Sequence, residues 1–238
     1  MKPIEEYYDQ EKSSEYESTR RGELWQRENE VFEAILSRIT SDMFDSPDSP
    51  TKRLKVLDLP AGTGRWIPFL QGKKTDYTGV DISQEMLRKA QEKIQQNDAS
   101  DDTYQFIQSP YREYLPAVEN EFDLVICTRF LPHFSPNEVE QIVSLLAKAT
   151  TKYVLLQVRV TENRWAWLSE IAHFVVTARA GAIRRFKKAG RLSYSKVRSQ
   201  YEAAVHQTGM TVEKHVVKKE RFSSFEYWLL KTPCNSHN

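Results

Sequence analysis

The chain has 238 residues, 39% hydrophobic and 28% charged, with 34 Lys+Arg against 33 Asp+Glu. That length suits one large domain, or one domain carrying an inserted subdomain, and the composition excludes global disorder. Two cysteines, Cys127 and Cys234, exclude a disulfide framework and a four-cysteine zinc site. With no apolar N-terminal stretch and ten acids in the first 33 residues, a reducing, cytoplasmic setting is the expectation.

Near-neutrality hides an asymmetry. Residues 1–33 carry ten acids and five bases, whereas residues 159–238 carry fifteen bases and six acids. Between Ile171 and Tyr201 there is no acid but there are eight bases, Arg179 to Arg198. Such a local block points to an anionic partner.

In chain order, residues 5–39 read as a helix with Leu24, Val31, Ile35 and Ile39 as packing residues. Residues 41–51, with Ser46-Pro47-Asp48-Ser49-Pro50, form a linker by their turn chemistry. Strand and helix patterns then alternate: a strand over 54–59, a helix over 65–71, a strand over 77–81 and a helix over 83–95 capped by Ser83. Further strands fall at 104–108, 122–127 and 153–158. Before the last of these, Ser135-Pro136-Asn137-Glu138 opens a helix with a capping box. Alternation of this kind predicts a parallel sheet covered on both faces. Residues 161–192 interrupt it as a helical, basic insertion too short in its uncharged run to span a bilayer. A helix over 193–207 and an antiparallel pair, 211–222 and 225–231, complete the chain.

The most informative segment is Val56-Leu57-Asp58-Leu59-Pro60-Ala61-Gly62-Thr63-Gly64. A glycine turn between strand and helix lets a ligand approach the backbone. Asp81 ends the second strand, 23 positions after Asp58, where a carboxylate can accept both hydroxyls of a ribose diol. A dinucleotide fingerprint would place a third glycine at position 67, which is Ile67, and no Gly-Lys-Ser/Thr phosphate loop is present. The turn therefore suits a nucleoside ligand without phosphates.

These segments resemble the class I S-adenosylmethionine-dependent methyltransferases. Residues 57–64 look like that family's first motif, and Gly79-Val80-Asp81-Ile82-Ser83 with Met86-Leu87 is similar to its second. Phe122 to Cys127 resembles its fourth strand, and the closing hairpin its usual addition to the sheet. The resemblance implies an α/β, Rossmann-like three-layer sandwich. Its seven-stranded sheet is mostly parallel, with the last strand antiparallel. An N-terminal helical lid and linker would occupy residues 1–52 and the catalytic core 53–238, with the insertion at 161–192 after strand five.

For S-adenosylmethionine the resemblance implies a site of Asp58, Gly62, Gly64, Asp81, Ile82, Ser109, Cys127 and Thr128. Gly62 and Gly64 would admit the methionine and ribose portions, Asp81 the ribose hydroxyls, and the backbone at Cys127 and Thr128 the amino group. Pro60 and Ser109 depart from the family's frequent glycine and acid. After the fourth strand, His133 is the candidate general base, with a hydrogen-bonded loop anchor as the competing reading. Arg129 either binds a substrate anion or pairs with an acid. Tyr16 and Arg20 on the N-terminal helix are candidate substrate contacts. No His/Asp/Glu cluster shows metal-ligand spacing.

The expected function is methyl transfer to O or N of a small molecule, anionic or lipid-like. Two alternatives stand beside it. An RNA or protein methyltransferase would use the basic insertion, which could also touch a membrane surface; a non-catalytic cofactor-binding partner subunit would have no acceptor at all.

Overall fold

Six strands running one way and one, β7, running against them make the sheet. The structure, a computed structural model, describes residues 23–44, 52–95, 101–160, 198–219 and 224–233. Its strands are β1 Leu54–Asp58, β2 Thr75–Asp81, β3 Thr103–Gln108, β4 Phe122–Cys127, β5 Thr150–Val160, β6 Thr211–Lys219 and β7 Ser224–Lys231. They lie in the order β3-β2-β1-β4-β5-β7-β6. Neighbours from β3 to β5 pair in parallel, while β7 runs antiparallel to both β5 and β6. The direction of the crossovers reverses between β1 and β4. In an open α/β sheet a ligand crevice forms beyond the strand ends at that reversal.

The helices are α1 Glu23–Phe44, α2 Ile67–Leu70, α3 Gln84–Gln95, α4 Tyr111–Tyr114, α5 Pro136–Ala149 and α6 Arg198–His206. Side chains alternate across a strand, so each strand serves both faces. Val56, Ile126, Leu155 and Leu229 pack with Phe32, Ile35 and Ile39 of α1 and with Ile67 and Ala90. Leu57, Val125, Leu156 and Leu230 pack with Val139, Ile142 and Leu146 of α5 and with Tyr201 and Val205 of α6. Two apolar clusters on opposite faces make the predicted three layers.

Several boundaries differ from expectation. The N-terminal helix is seen from Glu23 and continues to Phe44, into residues expected as linker. Its buried stripe includes Phe32 and Leu36 as well as Ile35 and Ile39. The helix expected over 65–71 is a single turn, Ile67–Leu70, because residues 62–66 are held in the glycine turn. β5 extends three residues earlier and two later than predicted, its outer part pairing with β7. Ser83 Oγ accepts the Met86 N–H (3.3 Å), and the Ser135–Glu138 capping box is complete. The insertion at 161–192 lies outside the described residues.

Candidate cofactor and substrate site

The glycine turn hangs from both neighbours of β1. The Leu59 N–H donates to the Ile126 carbonyl and the Ala61 N–H to the Val80 carbonyl, each at 2.9 Å. Both glycines lie in the left-handed region, Gly62 at φ 55° and Gly64 at φ 66°. They serve different ends. A Cβ on Gly64 would stand 2.6 Å from Ile67 Cδ1 and 2.9 Å from Ala90 Cβ, so its missing side chain lets the turn pack on α3. A Cβ on Gly62 would meet nothing within 4 Å, leaving open space against the backbone there.

Asp81 ties this turn to the end of β2. Its Oδ2 accepts the Gly62 N–H and its Oδ1 the Ser83 N–H, both at 2.9 Å. Burial pushes its carboxyl up from the ordinary range, opposed by backbone N–H bonds from Ser83, Gly62 and Ile82. The Ser109 N–H donates to the Asp81 carbonyl (3.1 Å), bringing the start of the post-β3 segment alongside. Asp58, fully buried, accepts the Tyr77 hydroxyl on Oδ2 (2.8 Å), while its Oδ1 has no hydrogen-bond partner among the described residues. Burial pushes its carboxyl up to about 8.

Beyond β4, Cys127 is fully buried in the α5-side cluster, and burial raises its thiol. Thr128 Oγ1 accepts the Trp66 indole N–H (3.1 Å). Its hydroxyl is thus engaged by the glycine-turn side of the site. Arg129 sits at φ 60° and donates through Nη2 to Glu28 Oε2 (2.7 Å). The acid-pairing alternative is therefore realised at Arg129. His133 lies in the 3₁₀ turn Leu131–His133, half-buried, beside the aromatic cluster of Tyr111, Phe130 and Phe134. Tyr16, Arg20 and Cys234 lie outside the described residues.

The sequence reading missed Glu28. It is 6% exposed and takes Arg65 Nη1 and Arg129 Nη2 on the same carboxylate oxygen. Burial works against its charge, yet Arg129 and Arg65 hold its carboxyl below the ordinary range. Gln157 Nε2 donates to Glu28 Oε1 (3.4 Å) and to the Tyr227 hydroxyl (2.7 Å). A signal was present in the sequence. Glu28 falls four residues before Phe32 and thus on the buried stripe of α1, where an acid needs a partner.

Comparison with known proteins agrees with this fold. Residues 56–152 match a family described as a methyltransferase domain. The fold is that of the class I methyltransferases. This methyltransferase fold is similar to magnesium protoporphyrin IX methyltransferase from Synechocystis PCC 6803, solved with bound SAH. The two share 16% identity over 97% of this chain and 98% of that one, with a TM-score of 0.65. A cyclopropane synthase from Mycobacterium tuberculosis is 10% identical over 83% and 84%, TM-score 0.59. An S-adenosylmethionine-dependent methyltransferase from Methanosarcina mazei is 17% identical over 75% and 92%, TM-score 0.54. No curated protein matches the sequence. Among the described residues, no group of His, Cys, Asp and Glu could hold a metal ion. No described helix is long and apolar enough to cross a membrane.

Proposed function

We propose that the chain transfers a methyl group from S-adenosylmethionine to an oxygen or nitrogen of a small, anionic molecule. The observation that carries the cofactor half is the tie between Gly62 and Asp81. An open left-handed glycine and a buried carboxylate stand side by side at the crevice where the crossover direction reverses. The residues fit the group. Asp81 would accept the ribose hydroxyls, Gly62 would let the methionine portion lie on the backbone, and Asp58 adds a buried oxygen to the same edge. The cofactor supplies a methyl on a sulfonium: the acceptor's lone pair forms the new bond to carbon while the C–S pair leaves on sulfur.

Such an in-line transfer needs alignment above all. The acceptor's side of the site would be the loop after β4, where Phe130 and Phe134 offer an apolar wall. His133 would take a proton only from an acceptor that must lose one. The anionic acceptor is inferred from the acid-free run of bases between Ile171 and Tyr201. Of the eight bases in residues 171–201, Arg198 is committed to Glu226 and does not count towards a nucleic-acid patch.

Calorimetry with S-adenosylhomocysteine tests the cofactor half. The wild type is expected to bind, and Asp81→Ala to bind about 100-fold more weakly, two charge-assisted hydrogen bonds being lost. Absence of binding by the wild type, or full binding by Asp81→Ala, overturns it. For the acceptor, a cell extract is incubated with enzyme and deuterated-methyl cofactor and read by mass spectrometry. A new label in an anionic small molecule supports the reading, and label confined to RNA or protein overturns it.

A further inference from the structure

The N-terminal helix reaches the cofactor edge by two connectors. One is charged: Glu28 Oε2 is shared by Arg65, which follows Gly64 directly, and by Arg129, two residues beyond the end of β4. The other is aromatic. Phe32 stacks on Trp66 at 4.1 Å and 16°, and the Trp66 indole N–H reaches Thr128 Oγ1 at 3.1 Å. Both therefore run from α1 through the glycine turn to the loop after β4. Arg65 adds a bond to Asn29 Oδ1 (3.2 Å), and its guanidinium lies 4.4 Å from the Trp66 ring.

Stability does not call for the charged connector. A buried ion cluster contributes little more than apolar residues of the same volume, because desolvation offsets its attraction. Nor does the helix depend on it to stay docked. At its other end the Tyr153 hydroxyl donates to Asp42 (2.6 Å), and Phe32, Ile35, Leu36 and Ile39 are buried between. What a carboxylate between two planar guanidiniums does supply is direction, since each fork accepts a narrow range of angles. Arg129 needs such a restraint, because its backbone occupies the left-handed region that costs a non-glycine residue free energy.

We propose that Glu28 is a positioning residue. Its carboxylate sets the glycine turn against the loop after β4, so that the cofactor cradle is complete only with this end of α1 in place. The proposal rests on the cofactor reading above.

Three variants of the full chain test it, each measured for S-adenosylhomocysteine affinity and for melting temperature. Glu28→Gln keeps the shape and removes the charge; it is expected to weaken binding about tenfold. Glu28→Asp keeps the charge on a shorter arm and is expected to recover most of that loss, to within about threefold of wild type. Tyr153→Phe loosens the far end of α1 and is expected to lower the melting temperature with the affinity unchanged. Wild-type affinity in Glu28→Gln overturns the proposal. So does a Tyr153→Phe variant that loses affinity as Glu28→Gln does, for the effect would then be mere docking of the helix. If Glu28→Gln does not fold, Arg129→Met cuts the same contact from the loop side, and an unchanged affinity there is equally decisive. Failure of the wild type to bind at all would instead remove the cofactor reading itself.

Discussion

At the scale of single residues, the site combines three carboxylates in three electrostatic situations. Glu28 is charged between guanidiniums, Asp81 is held by backbone N–H groups, and Asp58 is buried with one hydroxyl partner. Asp58 makes the sharpest prediction. Its folded carboxyl lies at about 8, against 3.8 for an exposed aspartate. Between those values the native state holds a proton that the unfolded chain releases. Stability linked to Asp58 is therefore fully present below about pH 4 and is lost as pH rises through about 8. Asp58→Asn removes the titration while keeping an oxygen for the Tyr77 hydroxyl. Melting curves from pH 5 to 8.5 should thus fall more steeply for wild type than for Asp58→Asn. Each pH unit is worth at most ~1.4 kcal/mol, or a few degrees in a chain of this size. Parallel curves would show that Asp58 is ionised in both states.

Single elements carry most of what was legible beforehand. Ser135 to Glu138 spells out the start of α5 because a capping box is local chemistry, and Ser83 marks α3 for the same reason. The closing hairpin was also legible, though not that Glu226 would sit inside it. Glu226 is fully buried on β7 and accepts Arg198, His215, Ser224 and the Trp228 indole. Burial opposes its charge, but these donors, Arg198 foremost, bring its carboxyl down to about 2. Arg198 opens α6, and Val158 of β5 pairs with Glu226, so this cluster ties α6 to the β5–β7 pair. Glu226→Gln leaves the arginine facing a neutral amide and is expected to cost about 3 kcal/mol, the lower end for a broken buried pair because Arg198 is 40% exposed. The depressed carboxyl also fixes the sign with pH: the contribution is present above about 4.5 and lost as pH falls towards 2. Denaturant unfolding at pH 7 and pH 3 measures both, and an unchanged midpoint at pH 7 would show the cluster to be neutral for stability.

Across the whole molecule, the alternation of strand and helix followed from pattern, and the meeting of the glycine turn with Asp81 from the family resemblance, though not the bond from Gly62 to Asp81. Glu28 did not, because its partners stand 37 and 101 positions away and no local period encodes them. The charge asymmetry was legible as a tally but not as a use, since Arg65, Arg129 and Arg198 turn inward to carboxylates. These inward pairs divide the sheet into a ligand-facing half around β1, β2 and β4 and a far edge at β6. That far edge carries Lys214 and exposes Val212 and Val217. Ligand binding should respect the division. At a hundredfold excess over its dissociation constant, S-adenosylhomocysteine stabilises the fold by about 2.7 kcal/mol, roughly 5–10 °C here. Hydrogen exchange should slow at residues 59–66, 81–83 and 127–129, and through Glu28 at the start of α1. Residues 211–217 lie two strands beyond β5 and share no contact with the glycine turn, so their exchange should stay unchanged below the global limit. Slowing confined to the 211–217 edge, with residues 59–66 unaffected, would place the ligand elsewhere and refute the assignment of this crevice.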